Sequence, residues 1–280
     1  MSDVVDARER RPPVGLAAPR PDAHLIDLIS TDAVVDLTRR GDRSTPPVPT
    51  TEEVDHAVAI AIAGHTARDG LAERWLTAAE RTAADALGPR ARAGRVGGRI
   101  AAKQAIASHL ISRGFADLAP ERVQITNDGY GAPVVAVRSA RIATRHLRIS
   151  IAHAGAVAVA LASTSRRATG IGIDVEPVEA RSPRFEALTL AVEERRLVPA
   201  AGDDRDTWLT RLWAAKEAAA KATGLGLRGR PKDFVVTGTA GTRLRIAGRW
   251  IATERVELAG TIHIVASTED HRTECSWHRS

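Results

Sequence analysis

The stretch Gly170-Ile171-Gly172-Ile173-Asp174-Val175-Glu176 decides how this chain is read. Its alternation predicts a strand over 169–176, with Ile171, Ile173 and Val175 on one face. Asp174 and Glu176, two residues apart, then put both carboxylates on the other face. Further along, the run Trp213-Ala214-Ala215-Lys216-Glu217-Ala218-Ala219-Ala220-Lys221 reads as a helix. Trp213, Glu217 and Lys221 fall one turn apart along a single stripe of it. Two rigid elements thus offer three carboxylates and a lysine. Hard divalent cations such as Mg²⁺ take oxygen ligands of this kind and share them with substrate phosphates. Together the two segments outline a site for phosphate chemistry.

Around this pair the pattern runs as two similar halves. Residues 56–63 alternate as a strand, and a helix follows over 77–87, where Thr77 and Glu80 have capping-box spacing. A second helix is expected over 93–113, stopped by Gly114. Strands are expected at 121–126, 133–137, 147–152 and 156–163, the first two joined at Asn127-Asp128-Gly129. In the second half, helices are expected over 184–198 and 205–223, the latter closed by Gly224. Strands at 233–237, 243–247, 249–257 and 261–267 complete it. Helices packed on small antiparallel sheets make an α+β class. Residues 1–50, proline-rich around an apolar segment at 25–37, are expected to form a largely disordered extension. An N-terminal subdomain over 51–165 and a C-terminal one over 166–280 are expected to follow.

Composition narrows the partners. Forty Lys and Arg face 34 Asp and Glu, a formal net charge of +6 in 280 residues, which points to an anionic partner. Nucleic acid is disfavoured, because aromatics make up only 3% of the chain and leave few platforms for stacked bases. Cys275, the single cysteine, cannot pair internally, and a reducing cytoplasm is expected. No run approaches the ~20 apolar residues of a membrane span, and no apolar core of a secretory signal is visible near the start.

Other chemistries fail on their motifs. Gly170-Ile-Gly-Ile-Asp lacks the third glycine and the following helix of a dinucleotide fingerprint. Gly224-Leu-Gly-Leu-Arg-Gly-Arg-Pro lacks the Gly-Lys-Ser/Thr ending of a P-loop. The histidines show no HExxH or paired spacing for zinc, and no GxSxG elbow is present.

The order and spacing of the two leading segments resemble 4′-phosphopantetheinyl transferases of the larger, surfactin-type class. Their pattern is a G-[IV]-D-[IV]-E strand followed by a W-x-x-K-E-[AS]-x-x-K helix. Further matches run over about 55–270. Leu76-Thr77-Ala78-Ala79-Glu80-Arg81 is similar to L-[ST]-x-x-E-R, and Gly98-Arg99-Ile100-Ala101-Ala102-Lys103 to the basic helix G-R-x-A-x-[KR]. Tyr130-Gly131-Ala132-Pro133 resembles a G-K-P turn, and Ser150-Ile151-Ala152-His153 a strand ending in S-H. The segment ending at Glu194 resembles F-[ST]-x-x-E, and Gly224-Leu225-Gly226-Leu227 with Asp233-Phe234 the loop and strand after the K-E helix. Two positions depart: Ala132 and Ala152 stand where the family has a Lys and a Ser expected to touch coenzyme A phosphate oxygens.

The resemblance implies a pseudo-dimer of two like subdomains with the site between them. It also implies transfer of the 4′-phosphopantetheine arm of coenzyme A to a serine of an apo acyl or peptidyl carrier protein, releasing 3′,5′-ADP. Asp174, Glu176 and Glu217 would be the metal ligands, with Mg²⁺ expected and Mn²⁺ the alternative. Glu217 would also act as general base, and Lys221 would meet the phosphates and the leaving group. Lys216 would help orient phosphates, while His153, Arg99 and Lys103 would face the 3′-phosphate of coenzyme A. An acidic carrier protein is the expected partner, without nucleic acid or membrane, and a monomer is expected. The alternative is a non-catalytic carrier-protein or coenzyme A-binding module with a degenerate cofactor site. The retained Asp174, Glu176, Glu217 and Lys221 argue against it.

Overall fold

The protein is described by a computed structural model over residues 35–36, 56–62, 67–111, 113, 118–138, 146–164, 170–200 and 203–268, with side chains from Gly70 onward, Asp203 apart. Most of the expected extension at 1–50, and Cys275, lie outside these residues.

The first half runs β1 (Val35–Asp36), β2 (His56–Ile62), α1 (Ala67–Trp75), α2 (Ala78–Asp85) and α3 (Pro89–Ile111). It continues with β3 (Val123–Asn127), β4 (Pro133–Val137), β5 (Arg148–Ala154) and β6 (Val157–Ser163). The second half contains β7 (Ile173–Pro177), α4 (Pro183–Thr189), α5 (Asp203–Ala222), β8 (Val236–Ala240), β9 (Arg243–Ile246), β10 (Arg249–Leu258) and β11 (Thr261–Thr268). The expected α+β class is borne out: one antiparallel sheet has the order β1-β2-β6-β5, a second has β7-β11-β10-β9-β8, and β3-β4 is a separate hairpin.

Each large sheet carries one long helix. Helix α3 lies on the first sheet, and its glycines set the distance. A methyl group at Gly98 would approach Ile151 Cγ2 to 2.9 Å, and one at Gly97 would approach Ala158 Cβ to 3.2 Å. Helix α5 lies on the second sheet through a row of buried alanines, among them Ala214, Ala215, Ala218, Ala219 and Ala222. The small side chains let a backbone come close. The two halves meet through an apolar layer in which Val157, Val159 and Leu161 of β6 pack with Ile173 and Val175 of β7 and Val265 of β11. A hydrogen bond from Ile173 N to Ser150 Oγ (3.1 Å) ties β7 to β5 across this layer.

Several expected boundaries move. The strand placed at 233–237 lies at Val236–Ala240 behind a 3₁₀ turn at Pro231–Asp233, and the helix placed over 93–113 begins at Pro89. The strand placed over 169–176 begins at Ile173: Gly170 and Gly172 run close against α5, and Gly172 meets the end of β11 only through Thr268. The helix placed over 184–198 is two pieces, α4 and a 3₁₀ stretch from Val192 to Leu197. Glu194 causes the break: its Oε2 accepts from Ala191 N at 2.8 Å and caps the second piece. One two-residue strand, β1, falls inside the expected extension and pairs with β2.

Candidate functional site

The site forms where β7 passes under α5. A Cβ on Gly170 would lie 1.8 Å from Ala222 O, and one on Gly172 would lie 1.9 Å from Ala218 O. No side chain fits at either place. Gly172 nevertheless leaves no backbone group wanting, since its N–H donates to Thr268 Oγ1 (3.1 Å) and its carbonyl accepts from Thr268 N (2.9 Å). Two glycines thus bring the strand that carries Asp174 and Glu176 against the helix that carries Glu217 and Lys221.

Lys221 Nζ donates to Asp174 Oδ1 (2.7 Å) and to Ile173 O (3.1 Å), and it lies 3.9 Å from Glu217 Oε2 one turn back. Asp174 is 3% exposed, and its Oδ2 is buried without a hydrogen-bond partner. Burial pushes the Asp174 carboxyl up to about 7; Lys221 opposes the shift, and the charges of Glu217 and Glu176 reinforce it. Glu217 is likewise pushed up, first by burial and then by Glu176. Three carboxylates this close oppose one another's ionisation unless a cation sits among them.

Whether a divalent cation fits is answered by the donor set. Among the described residues, no three His, Cys, Asp or Glu side chains form a ready metal cluster. Glu176 is turned aside: its Oε1 accepts from Trp213 Nε1 and its Oε2 from Arg181 Nη2, both at 3.2 Å. The orphaned Oδ2 of Asp174 and the crowding of carboxylates supply the hard oxygens such an ion takes. The residues fit the ion once Lys221 and Glu176 yield their present partners.

The cations expected to grip coenzyme A divide in two. His153 stands exposed at the end of β5, its ring filling the slot left by Gly94, where a Cβ would lie 3.0 Å from its Cε1 and Nε2. Desolvation and then the charge of Lys221 lower its pKa, which places it on the Lys221 side of the site. Arg99 is buried under the β3–β4 hairpin, where its Nη2 donates to Asn127 Oδ1 at 2.6 Å. Arg95 Nη1 reaches the same oxygen at 3.0 Å. Burial and the neighbouring Arg95 pull Arg99 down to about 10. The hairpin holding Ala132 is closed by Asp128, whose Oδ1 accepts from Tyr130 N and Ala132 N.

Lys103 and Lys216 are not brought to this site. Lys103 Nζ donates to Glu80 Oε2 (2.7 Å), Trp75 O (2.7 Å) and Pro120 O (3.0 Å), and its side chain is wholly buried. Lys216 Nζ donates to Glu194 Oε2 (2.6 Å), Thr189 O (2.9 Å) and Pro231 O (3.2 Å), again wholly buried. An ammonium has three protons, so in each case all three are used inside the protein. The carboxylates repeat the pattern: Glu80 Oε1 accepts from Ile125 N and Glu194 Oε1 from Val236 N, both at 2.8 Å. Each network staples a helix, a 3₁₀ turn and a strand. A sign of it was present in the sequence, since Glu80 precedes Lys103 by 23 residues and Glu194 precedes Lys216 by 22.

Replacing Lys216 by Met, which leaves Glu194 buried without a counter-charge, is expected to cost about 3–5 kcal/mol. Adding Glu194→Gln is expected to restore part of it. Urea unfolding of the single and double variants checks both.

The Asp174 shift gives a pH prediction for the cation-free protein. The folded state holds this proton up to about 7, whereas the unfolded chain releases it near 3.8. The group's contribution is therefore complete below the lower value and lost as pH rises through the upper one. Urea midpoints in chelator are expected to fall between about pH 4 and about pH 7, and Asp174→Asn to flatten that fall. Glu254, which burial also pushes up to about 7, leaves a residual slope.

Comparison with known proteins bears on this region. Residues 170–272 match the family model of the 4′-phosphopantetheinyl transferase superfamily. Over 153 residues the chain is 31% identical to the L-aminoadipate-semialdehyde dehydrogenase-phosphopantetheinyl transferase of Schizosaccharomyces pombe, which covers 49% of this chain and 57% of that protein. The chain thus spans little more than half the length of this curated relative. A holo-ACP synthase from Plasmodium yoelii aligns with 21% identity over 40% of this chain and 93% of that one, at a TM-score of 0.32. The resemblance drawn from the motifs is borne out at the level of the superfamily, over residues 170–272. No helix among the described residues is long and apolar enough to cross a membrane.

Proposed function

We infer that the chain, whose residues 170–272 match the family model of the 4′-phosphopantetheinyl transferase superfamily, moves the 4′-phosphopantetheine arm of coenzyme A onto a serine hydroxyl of an apo carrier protein. The observation that carries this reading is the contact of Lys221 with Asp174 beside Glu217, with Asp174 Oδ2 left over for a ligand. Substitution at the pyrophosphate breaks the bond to the 3′,5′-ADP oxygen and forms one to the serine oxygen. Catalysis is then alignment, charge neutralisation and removal of the serine proton.

In this reading Asp174, Glu176 and Glu217 hold a divalent cation, Mg²⁺ by preference. The ion, when bound, neutralises the pyrophosphate oxygens. Glu217, with its proton affinity raised by burial, takes the serine proton directly or through a water. Lys221 moves from Asp174 to the phosphate oxygens of the leaving group. His153 faces the 3′-phosphate from the neighbouring half, and Arg99 acts behind it by holding the β3–β4 hairpin in place. Lys103 and Lys216 are read as structural staples outside the ligand-binding set. Their doubled network supports the view of two like subdomains fused in one chain.

An acidic carrier protein suits the net charge of +6. The test is release of 3′,5′-ADP from coenzyme A, followed chromatographically with an apo carrier protein and Mg²⁺. Release is expected with the carrier and absent with its acceptor serine changed to alanine. Equal release from both carriers would mean hydrolysis, and none from either would leave the binding-module reading.

A further inference from the structure

Helix α3 carries two guanidiniums that converge on one neutral oxygen. Arg95 and Arg99 stand one turn apart, and both donate to Asn127 Oδ1, at 3.0 Å and 2.6 Å. The Asn127 amide donates in turn from Nδ2 to Gly131 O at 2.6 Å, which fixes its orientation and keeps the oxygen toward the arginines. Among the described residues neither arginine is ion-paired to a carboxylate. Glu80, the acid whose charge reaches Arg99, is spent on Lys103. Two like charges sharing a neutral acceptor oppose each other until an anion joins them.

The two arginines differ in what they have left to give. Arg99 is 5% exposed and sits behind the hairpin. Arg95 is half-buried, and its bond to Asn127 lies at the surface and uses one of five N–H groups. Arg95 also follows Gly94, whose missing side chain leaves the slot filled by the His153 ring. Neighbouring positions of α3 thus carry a guanidinium with donors to spare and a seat for the imidazole. That imidazole feels the charge of Lys221.

We propose that Arg95 binds the 3′-phosphate of coenzyme A and sets the preference for it over the 3′-dephospho form. The proposal rests on the reading of the site given above. A ligand whose 5′-pyrophosphate meets Lys221 carries its 3′-phosphate on the same ribose, so a second anion subsite has to lie one sugar away. Of the cations expected there, Lys103 is consumed in its staple and Arg99 is covered. Arg95 keeps a guanidinium at the surface. Such a fork meets a phosphate through two parallel N–H···O bonds, which one amide oxygen does not offer. A phosphate held by Arg95 also offsets the charge of Arg99 without touching it.

The test is calorimetric titration of 3′,5′-ADP, and of 5′-AMP, which lacks only the 3′-phosphate, into the full chain. The proteins are wild type, Arg95→Gln, Arg95→Lys and Arg90→Gln. Arg90 is exposed on the same helix, so its variant removes an equal charge away from Asn127. In Arg95→Gln the affinity for 3′,5′-ADP is expected to fall by about 10- to 100-fold, the scale of hydrogen bonds to a charged group. Affinity for 5′-AMP is expected to stay unchanged. Arg95→Lys is expected to recover part of the loss, and Arg90→Gln to match wild type for both nucleotides. Melting temperatures are expected to stay close to wild type, because Arg99 and Asp128 still hold the hairpin. Wild-type affinity for 3′,5′-ADP in Arg95→Gln would overturn the proposal. An equal loss for both nucleotides would overturn it too, since a displaced hairpin or a contact on the 5′ side acts that way. A wild type that binds 3′,5′-ADP no more tightly than 5′-AMP would instead overturn the coenzyme A site itself, and the role of Arg95 with it.

Discussion

Gly172→Ala is expected to be among the most damaging single substitutions in the chain, although it adds one methyl group. The new Cβ would sit 1.9 Å from Ala218 O, with the Ala218 carbonyl carbon at 2.8 Å and Ala222 N at 2.9 Å. The obstacle is helix backbone, so no rotamer change can relieve it. Either β7 moves away from α5 or the helix bends. Both outcomes break the paired bonds between Gly172 and Thr268 and draw Asp174 away from Lys221. The loss of stability is expected to reach about 3 kcal/mol, the upper range for overpacking in a rigid site. Gly170→Ala, aimed at Ala222 O at 1.8 Å, is expected to behave alike, whereas Gly129→Ala, with open space around it, is expected to be nearly silent. Urea unfolding of the three variants checks the order.

The second large effect is chemical. Glu217→Gln keeps the size and polarity of the side chain but removes both the negative charge and the capacity to take a proton. It is expected to lower transfer by about 10²–10⁴-fold, the range for losing a general base, while leaving the fold in place. Stability is expected to hold or rise, because one of three crowded carboxylates is neutralised and burial no longer opposes a charge there. A variant that loses activity without losing stability separates a catalytic role from a structural one. The readout is the initial rate of 3′,5′-ADP release beside the urea midpoint of the same preparation.

These two residues show what the sequence made legible and what it did not. The carboxylates of β7 and the Glu217–Lys221 pair could be read because each lies on a regular element whose period fixes its face. That Asp174 and Lys221 touch required only that the strand and the helix be neighbours. The reason for Gly170 and Gly172 was hidden, because it is a contact with helix backbone 46 to 52 residues away, and glycines beside alternating apolar residues read simply as more strand. The buried partners of Lys103 and Lys216 were hidden for the same reason. A lysine in a motif next to catalytic residues suggests a phosphate, but its use depends on a buried carboxylate far along the chain. Glu194 shows the converse: its neighbours read as one continuous helix, yet its side chain turns back to cap Ala191 and to hold Lys216. The indole of Trp213 could equally have been core, and only the hydrogen bond to Glu176 assigns it a polar partner.

The central claim is that the β7–α5 junction is a transferase centre, and intact-mass measurement of an apo carrier protein tests it most directly. The carrier is incubated with coenzyme A, Mg²⁺ and either the wild type or Glu217→Gln, with a chelator-treated sample alongside. The account predicts a mass gain of one phosphopantetheine per carrier with the wild type, and little or none with Glu217→Gln or in chelator. A full gain with Glu217→Gln at the wild-type rate would contradict the role given to this junction, and no gain on any carrier despite coenzyme A binding would contradict the transferase reading itself.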